Sequence, residues 1–504
     1  METPAPDHTL LEGLRRALSA GGRPVELIET HISWVLLAGD DAWKLKKPVA
    51  LGFLDFSSVA ARRHACEEEL RLNRRLAPAL YLEVVPVTGT PAAPRLGGRG
   101  AVLDHVLHMR RFPAGALLSE RLAAGTLQAE EIDRLAERIA AFHEAAPAAP
   151  AEGPWGTPAA VAAATHGVLE RLAAHGAAQP ALARWADAEL ARLAGTLRQR
   201  LRAGRVREVH GDLHLANTLR LPDGEVTAFD GIEFDPALRW IDVIDDAGFL
   251  MMDLLAHERP ALAWRFLDGW LAATGDHAGL TLLRFYLVHR ALVRALVSRL
   301  RPAAEQGPDY LALAQRLSSA ATPRLLLTHG LSGSGKSHAA ALLAAQAGAV
   351  RLRSDVERKR LFGLAPLARS AAQVPGGIYT PAATARTYDE LLQRARTALQ
   401  AGWPVIVDAA FLRRCERDRF HALAFDLRVP FHVLACSAPG ALLRERVAGR
   451  DRRGDDPSEA DLAVLAAQQE FVEPLADDER PHTLSLATDR PWDDAALAAR
   501  WMAA

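Results

Sequence analysis

A glycine-rich turn near residue 330 constrains the fold of this chain more than any other part of its 504 residues. The apolar run Leu325 to Leu327 is typical of a buried strand, and the sequence GLSGSGKS follows it before an alanine-rich helical pattern begins. Glycines let successive backbone N–H groups face one phosphate, and the following helix N-terminus adds partial positive charge. This G-x-x-x-x-G-K-S pattern is the P-loop. It predicts an α/β P-loop NTPase domain with a parallel sheet that binds ATP, with GTP as the alternative.

Each residue of this motif has a role in phosphate chemistry. The backbone cradle is predicted to be formed by four residues, Gly330, Gly333, Ser334 and Gly335. Lys336 is expected to reach the β- and γ-phosphates, and the Ser337 hydroxyl to bind Mg²⁺. Downstream, the apolar run 405–407 ends at Asp408, the Walker-B arrangement, in which the carboxylate holds Mg²⁺ directly or through water. ATP and Mg²⁺ are therefore the predicted cofactors.

Length, charge and cysteine content restrict the class of protein. The chain is too long for one ordinary core, and a polar stretch bounded by prolines over 302–323 predicts domains at 1–318 and 319–504. The net charge of −1 argues against an extended nucleic-acid footprint. Its three cysteines are far apart, and we find no signal peptide or long apolar run. We expect a cytoplasmic protein without membrane contact, whose oligomeric state the sequence does not indicate.

A predicted hairpin in the amino-terminal part of the chain carries two lysines. Apolar runs on both sides of the turn 39–41 predict two strands, and Lys44 and Lys46 have the same strand parity. A lysine on an internal strand of a nucleotide-binding lobe can bind the α- and β-phosphates, whereas a lysine on a sheet edge faces solvent. A helix is predicted over 58–76, and the helical patterns become dominant from residue 129 onward.

A second motif, HGDLHLAN at 210–217, precedes a predicted hairpin that ends in Phe229 and Asp230. This hairpin places Asn217, at its entry, beside Asp230, at its exit. Two oxygen ligands and a separate carboxylate suit phosphoryl transfer. Asn217 and Asp230 would bind Mg²⁺, and Asp212 would orient or deprotonate the acceptor hydroxyl. In isolation, each of these residues is more typical of a turn than of such a site, and it is their joint spacing that favours phosphoryl transfer.

The two segments together resemble the catalytic loop and metal-binding aspartate of aminoglycoside phosphotransferase-like kinases. The resemblance covers about residues 29–301 and implies an α+β, protein-kinase-like bilobal fold for the amino-terminal domain. It also implies that Glu69 pairs with Lys44 or Lys46, without choosing between them. The chain departs from kinase patterns in one respect, because residues 28–35 contain no glycine-rich loop. No acceptor is carried over.

Beyond the P-loop, two features point to an acceptor site and a lid. Asp355 follows a predicted strand at 349–352, where it can act as the base on an acceptor hydroxyl or serve as a helix N-cap, and Arg358 would hold an anionic group of the acceptor. An arginine cluster that includes Arg446 and Arg450 is predicted to form a lid over the phosphates, because the arginines are expected to continue beyond their helix into a loop. The alternative is a solvated helix face.

Residues 324–486 resemble the small P-loop kinases of the polynucleotide kinase, gluconate kinase and zeta-toxin type, within the broader AAA-like ATPases. The whole chain resembles bacterial fusions of an aminoglycoside phosphotransferase-like domain with a predicted P-loop kinase. The leading hypothesis is a bifunctional, ATP- and Mg²⁺-dependent phosphotransferase with two nucleotide sites and small-molecule hydroxyl acceptors, among them nucleotides. The alternatives are one kinase domain regulated by nucleotide binding in the other, an ATPase switch that binds a protein partner, and a kinase acting on nucleic-acid ends.

Overall fold

The computed structural model describes residues 8–20, 22, 24–51, 54–300, 307–319, 322–370, 377–454 and 456–503. The predicted linker therefore lies partly outside the described residues, as do Asp455 and the side chains of Asp451 and Arg453 in the predicted lid. The chain forms two compact units, Met1–Thr157 with Arg200–Asp246 and Pro158–Gln199 with Ala247–Ala504. Units defined by compactness need not coincide with evolutionary domains. These units therefore do not test the predicted domain boundary between residues 318 and 319, which stays a prediction.

The first unit is built on an antiparallel sheet. Among the described residues, this sheet has six strands in the order β1-β2-β3-β8-β6-β7. Their bounds are β1 (Val25–Glu29), β2 (Ser33–Ala38), β3 (Asp41–Lys46), β6 (Tyr81–Thr90), β7 (Ala93–Leu96) and β8 (Val102–Arg110). The predicted hairpin is the β2–β3 pair, in which Ala38 is opposite Asp41. Gly39 has a φ of 64°, a left-handed conformation that suits glycine at a tight turn.

Helices and short ladders complete the first unit. The helices are α1 (Thr9–Leu18), α2 (Val59–Asn73), α3 (Leu118–Ala123) and α4 (Ala129–Ala145). The two-stranded ladders pair β4 (Ala50–Leu51) with β5 (Leu54–Asp55), β9 (Val206–Glu208) with β12 (Trp240–Asp242), and β10 (Thr218–Arg220) with β11 (Val226–Ala228). Helix α1 packs Leu11 and Leu14 against Trp34, Leu36 and Val106 of the large sheet. This apolar layer supports the strand that carries both lysines.

The second unit is mainly helical. Its helices before the P-loop are α5 (Pro158–Ala174), α6 (Pro180–Arg202), α7 (Val243–Ala256), α8 (Pro260–Thr274), α9 (Leu280–Arg299) and α10 (Tyr310–Leu317). Those after it are α11 (Lys336–Ala347), α12 (Ser354–Leu361), α13 (Pro381–Gln400), α14 (Arg414–Leu427), α15 (Gly440–Arg453), α16 (Leu462–Phe471) and α17 (Asp494–Ala503). Helices α6 and α7 contribute residues to both units.

A parallel sheet forms the core of the second unit. Within the described ranges it has five strands, β14 (Val350–Arg353), β15 (Val405–Asp408), β13 (Leu325–His329), β16 (Phe431–Ser437) and β17 (Thr483–Ala487), in that spatial order. The P-loop strand β13 is central, and Leu326 is fully buried with Ile406 and Leu434 of its two neighbours. Parallel strands covered on both faces read as continuous apolar runs, which is why the sequence shows no alternation there.

Helices α8 and α9, which precede the P-loop in the chain, pack directly on the P-loop part of the second unit. The indole Nε1 of Trp403 donates to the carbonyl of Leu280 at 3.0 Å, and the ring packs edge-on against Trp264 with centroids 5.4 Å apart. Arg360 of α12 donates to the carbonyl of Ala272 at 2.6 Å, near the carboxyl end of α8. A guanidinium at this end also complements the helix dipole.

A buried histidine in this packing layer predicts an acid-sensitive second unit. Burial, and next the Arg394 guanidinium, lowers the pKa of His277 to about 3, whereas an unfolded histidine titrates near 6.5. Below pH 6.5 the unfolded chain binds a proton at this position that the folded chain does not, so His277 by itself lowers stability by about 1.4 kcal/mol per pH unit down to about pH 3, and His289, whose pKa burial also lowers to about 3, adds a similar contribution. Urea unfolding at pH 7, 6 and 5 should show this slope, and His277→Gln should reduce it. His175→Gln, at an exposed position of the same unit, is the control. An unchanged slope in His277→Gln would contradict the assignment of this pH dependence to His277.

The fold class predicted from the sequence is confirmed, with an antiparallel sheet and helices as in protein-kinase-like folds, followed by a parallel P-loop sheet. Strands β7 and β17 were not predicted. One expectation about the lid was wrong. Helix α15 continues to Arg453 and ends at Gly454, so the arginine cluster lies on the helix and does not extend into a loop. Among the described residues, none of the helices combines the length and apolar character of a membrane-spanning helix.

Candidate active sites

The first candidate site lies in the first unit, where Lys44 joins two carboxylates. Its Nζ lies 2.7 Å from Glu69 Oε1 on α2 and 2.7 Å from Asp230 Oδ1, which follows the β10–β11 hairpin. Burial tends to lower the pKa of Lys44, but Asp230 and Glu69 raise it well above its usual value. Burial would likewise raise the pKa of Asp230, and the Lys44 ammonium outweighs it, so this pKa is lowered. Lys44 and Asp230 are therefore both charged at neutral pH.

Lys46 has different surroundings, which the sequence did not reveal. Its side chain is fully buried, and its Nζ contacts Glu69 Oε2 at 2.5 Å and also Glu233. Lys44, by contrast, retains 11% of its side-chain exposure and borders a cleft. The geometry therefore favours Lys44 as the lysine that can reach a phosphate, while Lys46 holds Glu69 from the interior. Glu233 lies three residues after Asp230 and was not singled out in the sequence.

We expect Lys46→Met to destabilise the first unit by about 3–5 kcal/mol, because two buried carboxylates lose their shared cation. Urea unfolding followed by circular dichroism measures this effect. Lys47→Met provides the matched control at the neighbouring position. Lys47 is also mostly buried and lies over the Trp34 ring, but its single carboxylate partner, Glu29, is 55% exposed, so the loss of Lys47 leaves no buried carboxylate unpaired and should cost less. Equal effects of the two substitutions would contradict the structural role assigned to Lys46.

The predicted catalytic loop brings Asp212, Asn217 and Asp230 to one place. The amide Nδ2 of Asn217 donates to Asp212 Oδ2 at 3.0 Å and to the Asp212 carbonyl at 3.0 Å. This orientation leaves the Asn217 amide oxygen as the group that can face a cation. The backbone N–H of Phe229 donates to the Asn217 carbonyl at 3.0 Å, so the predicted hairpin does place Asp230 directly after the partner of Asn217. Asp230 has a φ of 60°, an uncommon conformation for a residue other than glycine.

The Asp246 carboxylate accepts hydrogen bonds from the backbone of this loop, a contact that sequence reasoning did not identify. Its two carboxylate oxygens accept from the backbone N–H groups of Gly211 at 2.8 Å and His210 at 3.3 Å. His143 of α4 contacts the same carboxylate at 3.0 Å. Burial raises the pKa of Asp246, but the hydrogen bond and charge of His143 outweigh this effect and the pKa is lowered. The charged Asp246 therefore anchors the backbone that presents Asp212.

A mainly apolar cleft adjoins Lys44 and Asp230. It is lined on one side by the β1–β3 strands and on the other by the end of β8 and by Phe229, and its side chains include Ile28, Val35, Leu37, Leu80, Met109 and Phe112. Flat apolar walls beside a charged lysine and carboxylate suit a ligand with an aromatic ring and a phosphate chain. Residues 109–112, at the end of β8 and just after it, also line the cleft.

The second candidate site lies in the second unit at the amino end of α11. Three P-loop glycines have positive φ values of 148° at Gly330, 81° at Gly333 and 79° at Gly335. A Cβ atom at Gly333 would lie 2.6 Å from the Leu443 carbonyl, and one at Gly330 would lie 2.5 Å from the Cys436 carbonyl. Ser334 is buried, and its hydroxyl has no hydrogen-bond partner among the described residues. The cradle therefore has the shape and the free polar group that a phosphate requires.

The predicted cation ligands of this site are in direct contact. The Ser337 hydroxyl donates to Asp408 Oδ1 at 3.0 Å, which confirms that the P-loop and the end of β15 converge. Asp408 Oδ2 is buried and lacks a hydrogen-bond partner within the described ranges. An orphaned carboxylate oxygen beside a hydroxyl fits Mg²⁺, which prefers oxygen ligands. Lys336 projects nearby, and burial is the main cause of its lowered pKa.

The two lid arginines differ in their contacts. Arg446 donates to the Gly333 carbonyl at 3.2 Å and to the carbonyl of Thr488, just after β17, at 2.7 Å. Arg450 donates to the carbonyl of Ala460 at 2.6 Å. The sequence did not identify Thr488 because strand β17 was not predicted. Arg446 is thus already attached to the P-loop, whereas Arg450 is attached to the chain that follows the lid helix.

The structure corrects two expectations about α12. The N-cap of this helix is Arg353, so the interpretation of Asp355 as an N-cap is wrong. Asp355 instead lies in the first turn and accepts from the Tyr379 hydroxyl at 3.4 Å. Arg358 is buried and donates to the carbonyl of Ile378 and to Thr384, both at 3.1 Å. Its guanidinium therefore bonds to the protein itself and is not, as expected, presented to an acceptor. Asp355 is half-buried, and its role as the base on an acceptor hydroxyl stays a prediction.

Comparisons with known proteins relate the chain to characterised folds and to uncharacterized relatives. A family model described as an AAA domain matches residues 325–475. The uncharacterized protein Rv2004c of Mycobacterium tuberculosis is 32% identical over 461 residues, which cover 88% of this chain and 90% of that protein. The uncharacterized protein Mb2027c of Mycobacterium bovis matches to the same extent.

Two solved structures are similar to parts of the chain. A choline/ethanolamine kinase family protein from Mesorhizobium loti is 16% identical, covers 61% of this chain and 92% of its own, and has a TM-score of 0.35. A gluconokinase from Sinorhizobium meliloti is 20% identical, covers 36% of this chain and 91% of its own, and has a TM-score of 0.26. No substrate is carried over from either protein.

Proposed function

This chain belongs to the protein family of the mycobacterial protein Rv2004c, and we propose that it is an ATP- and Mg²⁺-dependent phosphotransferase with two nucleotide sites. One site uses the residues around Asp212, and the other uses the P-loop. Each site transfers a γ-phosphate to a hydroxyl of a small molecule. The proposal treats the chain as a fusion of an aminoglycoside phosphotransferase-like domain, residues 1–318, with a P-loop kinase domain, residues 319–504.

One observation carries this proposal: each compact unit assembles its own set of phosphoryl-transfer residues. In the first unit, Lys44 contacts Glu69 and Asp230, and Asn217 contacts Asp212. The second unit joins the P-loop Ser337 to Asp408. A phosphoryl-transfer site needs cationic groups near the phosphates, oxygen ligands for a divalent ion and a carboxylate near the acceptor. Lys336 and Asp355 complete the second set, so both sets contain all three kinds of group.

Each residue of the first site has a separate proposed role in phosphoryl transfer. Lys44, held by Glu69, binds the phosphates of ATP, and Asn217 with Asp230 would hold Mg²⁺. When bound, the ion would neutralise charge on the phosphates. Asp212 accepts or orients the proton of the acceptor hydroxyl, because it is partly exposed and its carboxylate is oriented by the Asn217 amide. The apolar cleft beside Lys44 would accommodate the base of the nucleotide.

The residues of the second site have corresponding roles. The P-loop backbone and Lys336 bind the phosphates, Ser337 and Asp408 would hold Mg²⁺, and Asp355 faces the acceptor hydroxyl. Arg446 and Arg450 on α15 supply positive charge above the cradle. Because Arg446 already contacts Gly333, it can respond to a bound phosphate without a large movement of α15.

Transfer of radiolabelled γ-phosphate from ATP into a fractionated extract of metabolites and nucleotides tests this proposal. We expect labelled small molecules with the wild-type chain. Release of free phosphate without any labelled acceptor would refute the phosphotransferase and support the ATPase switch. If a substitution in one site abolished the labelling of every product, the proposal of two independent sites would be refuted. The two single-site variants are Lys336→Ala for the P-loop site and Asp212→Asn for the first site.

A further inference from the structure

Two arginines on β14 flank the Asp408 carboxylate in the second unit. Arg351 Nη1 lies 3.6 Å and Arg353 Nε lies 3.8 Å from Asp408 Oδ2. Both separations are longer than a hydrogen bond. The parallel pairing of β14 and β15 causes this proximity, because it places Arg353 opposite Asp408 and leaves Arg351 on the same face of β14. Neither arginine was identified from the sequence.

A second carboxylate holds each of these guanidinium groups. Asp268 of α8 binds Arg351 in a bidentate manner, at 3.2 Å to Nε and 2.7 Å to Nη2. Asp456, beyond the lid helix, accepts from Arg353 Nη2 at 2.6 Å. Arg351 Nη1 also donates to the Ser337 carbonyl at 3.3 Å. Both arginines therefore make their short contacts with groups other than the Asp408 carboxylate.

This arrangement has a consequence for the orphaned oxygen of Asp408. A free guanidinium beside a buried carboxylate would form a short, charge-assisted pair with it, because burial strengthens the attraction and an unpaired buried charge is costly. Such a pair would cover the oxygen that a divalent cation needs. The bidentate pair with Asp268 holds Arg351 in an orientation in which Nη1 lies 3.6 Å from Asp408 Oδ2, outside hydrogen-bond distance.

We propose that Asp268 is a positioning residue for the cation site of the P-loop. It restrains Arg351 and thereby keeps Asp408 Oδ2 open to Mg²⁺. This inference rests on the proposed role of Asp408 as a cation ligand. Asp268 is 22% exposed and Arg351 is 13% exposed, so their pair is partly shielded from solvent and is more effective than a surface ion pair. Helix α8, which precedes the linker, thus contributes to the P-loop site.

Magnesium-dependent binding of a fluorescent ADP analogue tests this role without requiring an acceptor or turnover. The part of the signal that Lys336→Ala removes reports the P-loop site. We expect Asp268→Ala to raise the Mg²⁺ concentration for half-maximal binding about tenfold, because the released Arg351 competes for Asp408. The double variant Asp268→Ala/Arg351→Met should return the value to near that of the wild type. Asp389→Ala removes an exposed carboxylate of the same unit that pairs with Arg419, and it should change nothing.

The outcomes separate positioning from a purely structural role. A lower urea midpoint of Asp268→Ala with an unchanged Mg²⁺ requirement would overturn the proposal, and so would a shift that persists in the double variant. If Asp268→Ala does not fold, the Arg351→Met variant alone tests the proposal. This variant should bind Mg²⁺–ADP as tightly as the wild type or more tightly. Weaker binding by Arg351→Met would overturn the proposal.

The same titration distinguishes this inference from the proposed function. Mg²⁺-dependent ADP binding that responds to Asp268 as expected supports the inference even when no acceptor is ever labelled, an outcome that would refute only the phosphotransferase. Absence of Mg²⁺-dependent ADP binding in the wild type would overturn the inference together with the P-loop cation site.

Discussion

Lys336→Ala is expected to reduce phosphoryl transfer at the P-loop site by about 10³-fold and to leave transfer at the other site unchanged. Lys336 is the P-loop lysine, and burial lowers its pKa while Asp408 and Asp355 oppose this effect. Its Nζ has a long hydrogen bond of 3.4 Å to the Leu331 carbonyl, so its removal breaks no short contact and should cost little stability. A loss of about 10³-fold corresponds to about 4 kcal/mol of transition-state stabilisation.

Acceptor labelling by the Lys336→Ala variant, compared with the wild type, measures this loss for each labelled product separately. Arg386→Ala is a matched control, because it removes a positive charge from an exposed position of the same unit. The control should retain all activity. If Lys336→Ala decreases every labelled product equally, the two sites are coupled and the proposal of independent sites fails.

Asp212→Asn is expected to reduce transfer at the first site by about 10³-fold, within the usual range for loss of a general base. The substitution preserves shape and one oxygen that can accept from the Asn217 amide at the position now occupied by Asp212 Oδ2. It removes only the negative charge and the ability to take a proton. Nucleotide affinity at this site should therefore change little, and the loss should appear in the turnover number.

Asp223→Asn is the matched control for Asp212→Asn. Asp223 lies exposed in the turn of the β10–β11 hairpin, where its Oδ1 accepts from the backbone N–H of Glu225 at 2.9 Å, a bond that asparagine can also accept. The control should be fully active. Full activity of Asp212→Asn itself would remove Asp212 from the mechanism and move the first unit toward a nucleotide-binding role.

The relation between sequence and structure differs between the two candidate sites. The P-loop was predictable because its residues lie within a short segment whose local geometry depends on glycine. The contact of Ser337 with Asp408 spans 71 residues, yet it followed from a rule, because adjacent parallel strands present their carboxyl ends at one edge of the sheet. The roles of these residues remain predictions until they are tested.

The lysine of the first site could not be chosen from the sequence. Lys44 and Lys46 have the same strand parity, and both contact Glu69. They differ in their second carboxylate, which is Asp230 for Lys44 and Glu233 for Lys46, and in their burial. Both carboxylates are more than 180 residues away in the chain, so no local pattern can distinguish them.

By itself, the sequence determined the fold class, the P-loop and the convergence of Asn217 with Asp230 and of Ser337 with Asp408. These features depend on short-range patterns of apolar residues, glycines and turns. Only the tertiary structure decided which groups surround those residues. The Asp246 anchor, the burial of Lys46 and the pair of Asp268 with Arg351 all depend on packing between distant segments. Local patterns carry no information about such partners, because desolvation and ion pairing arise only after the segments meet.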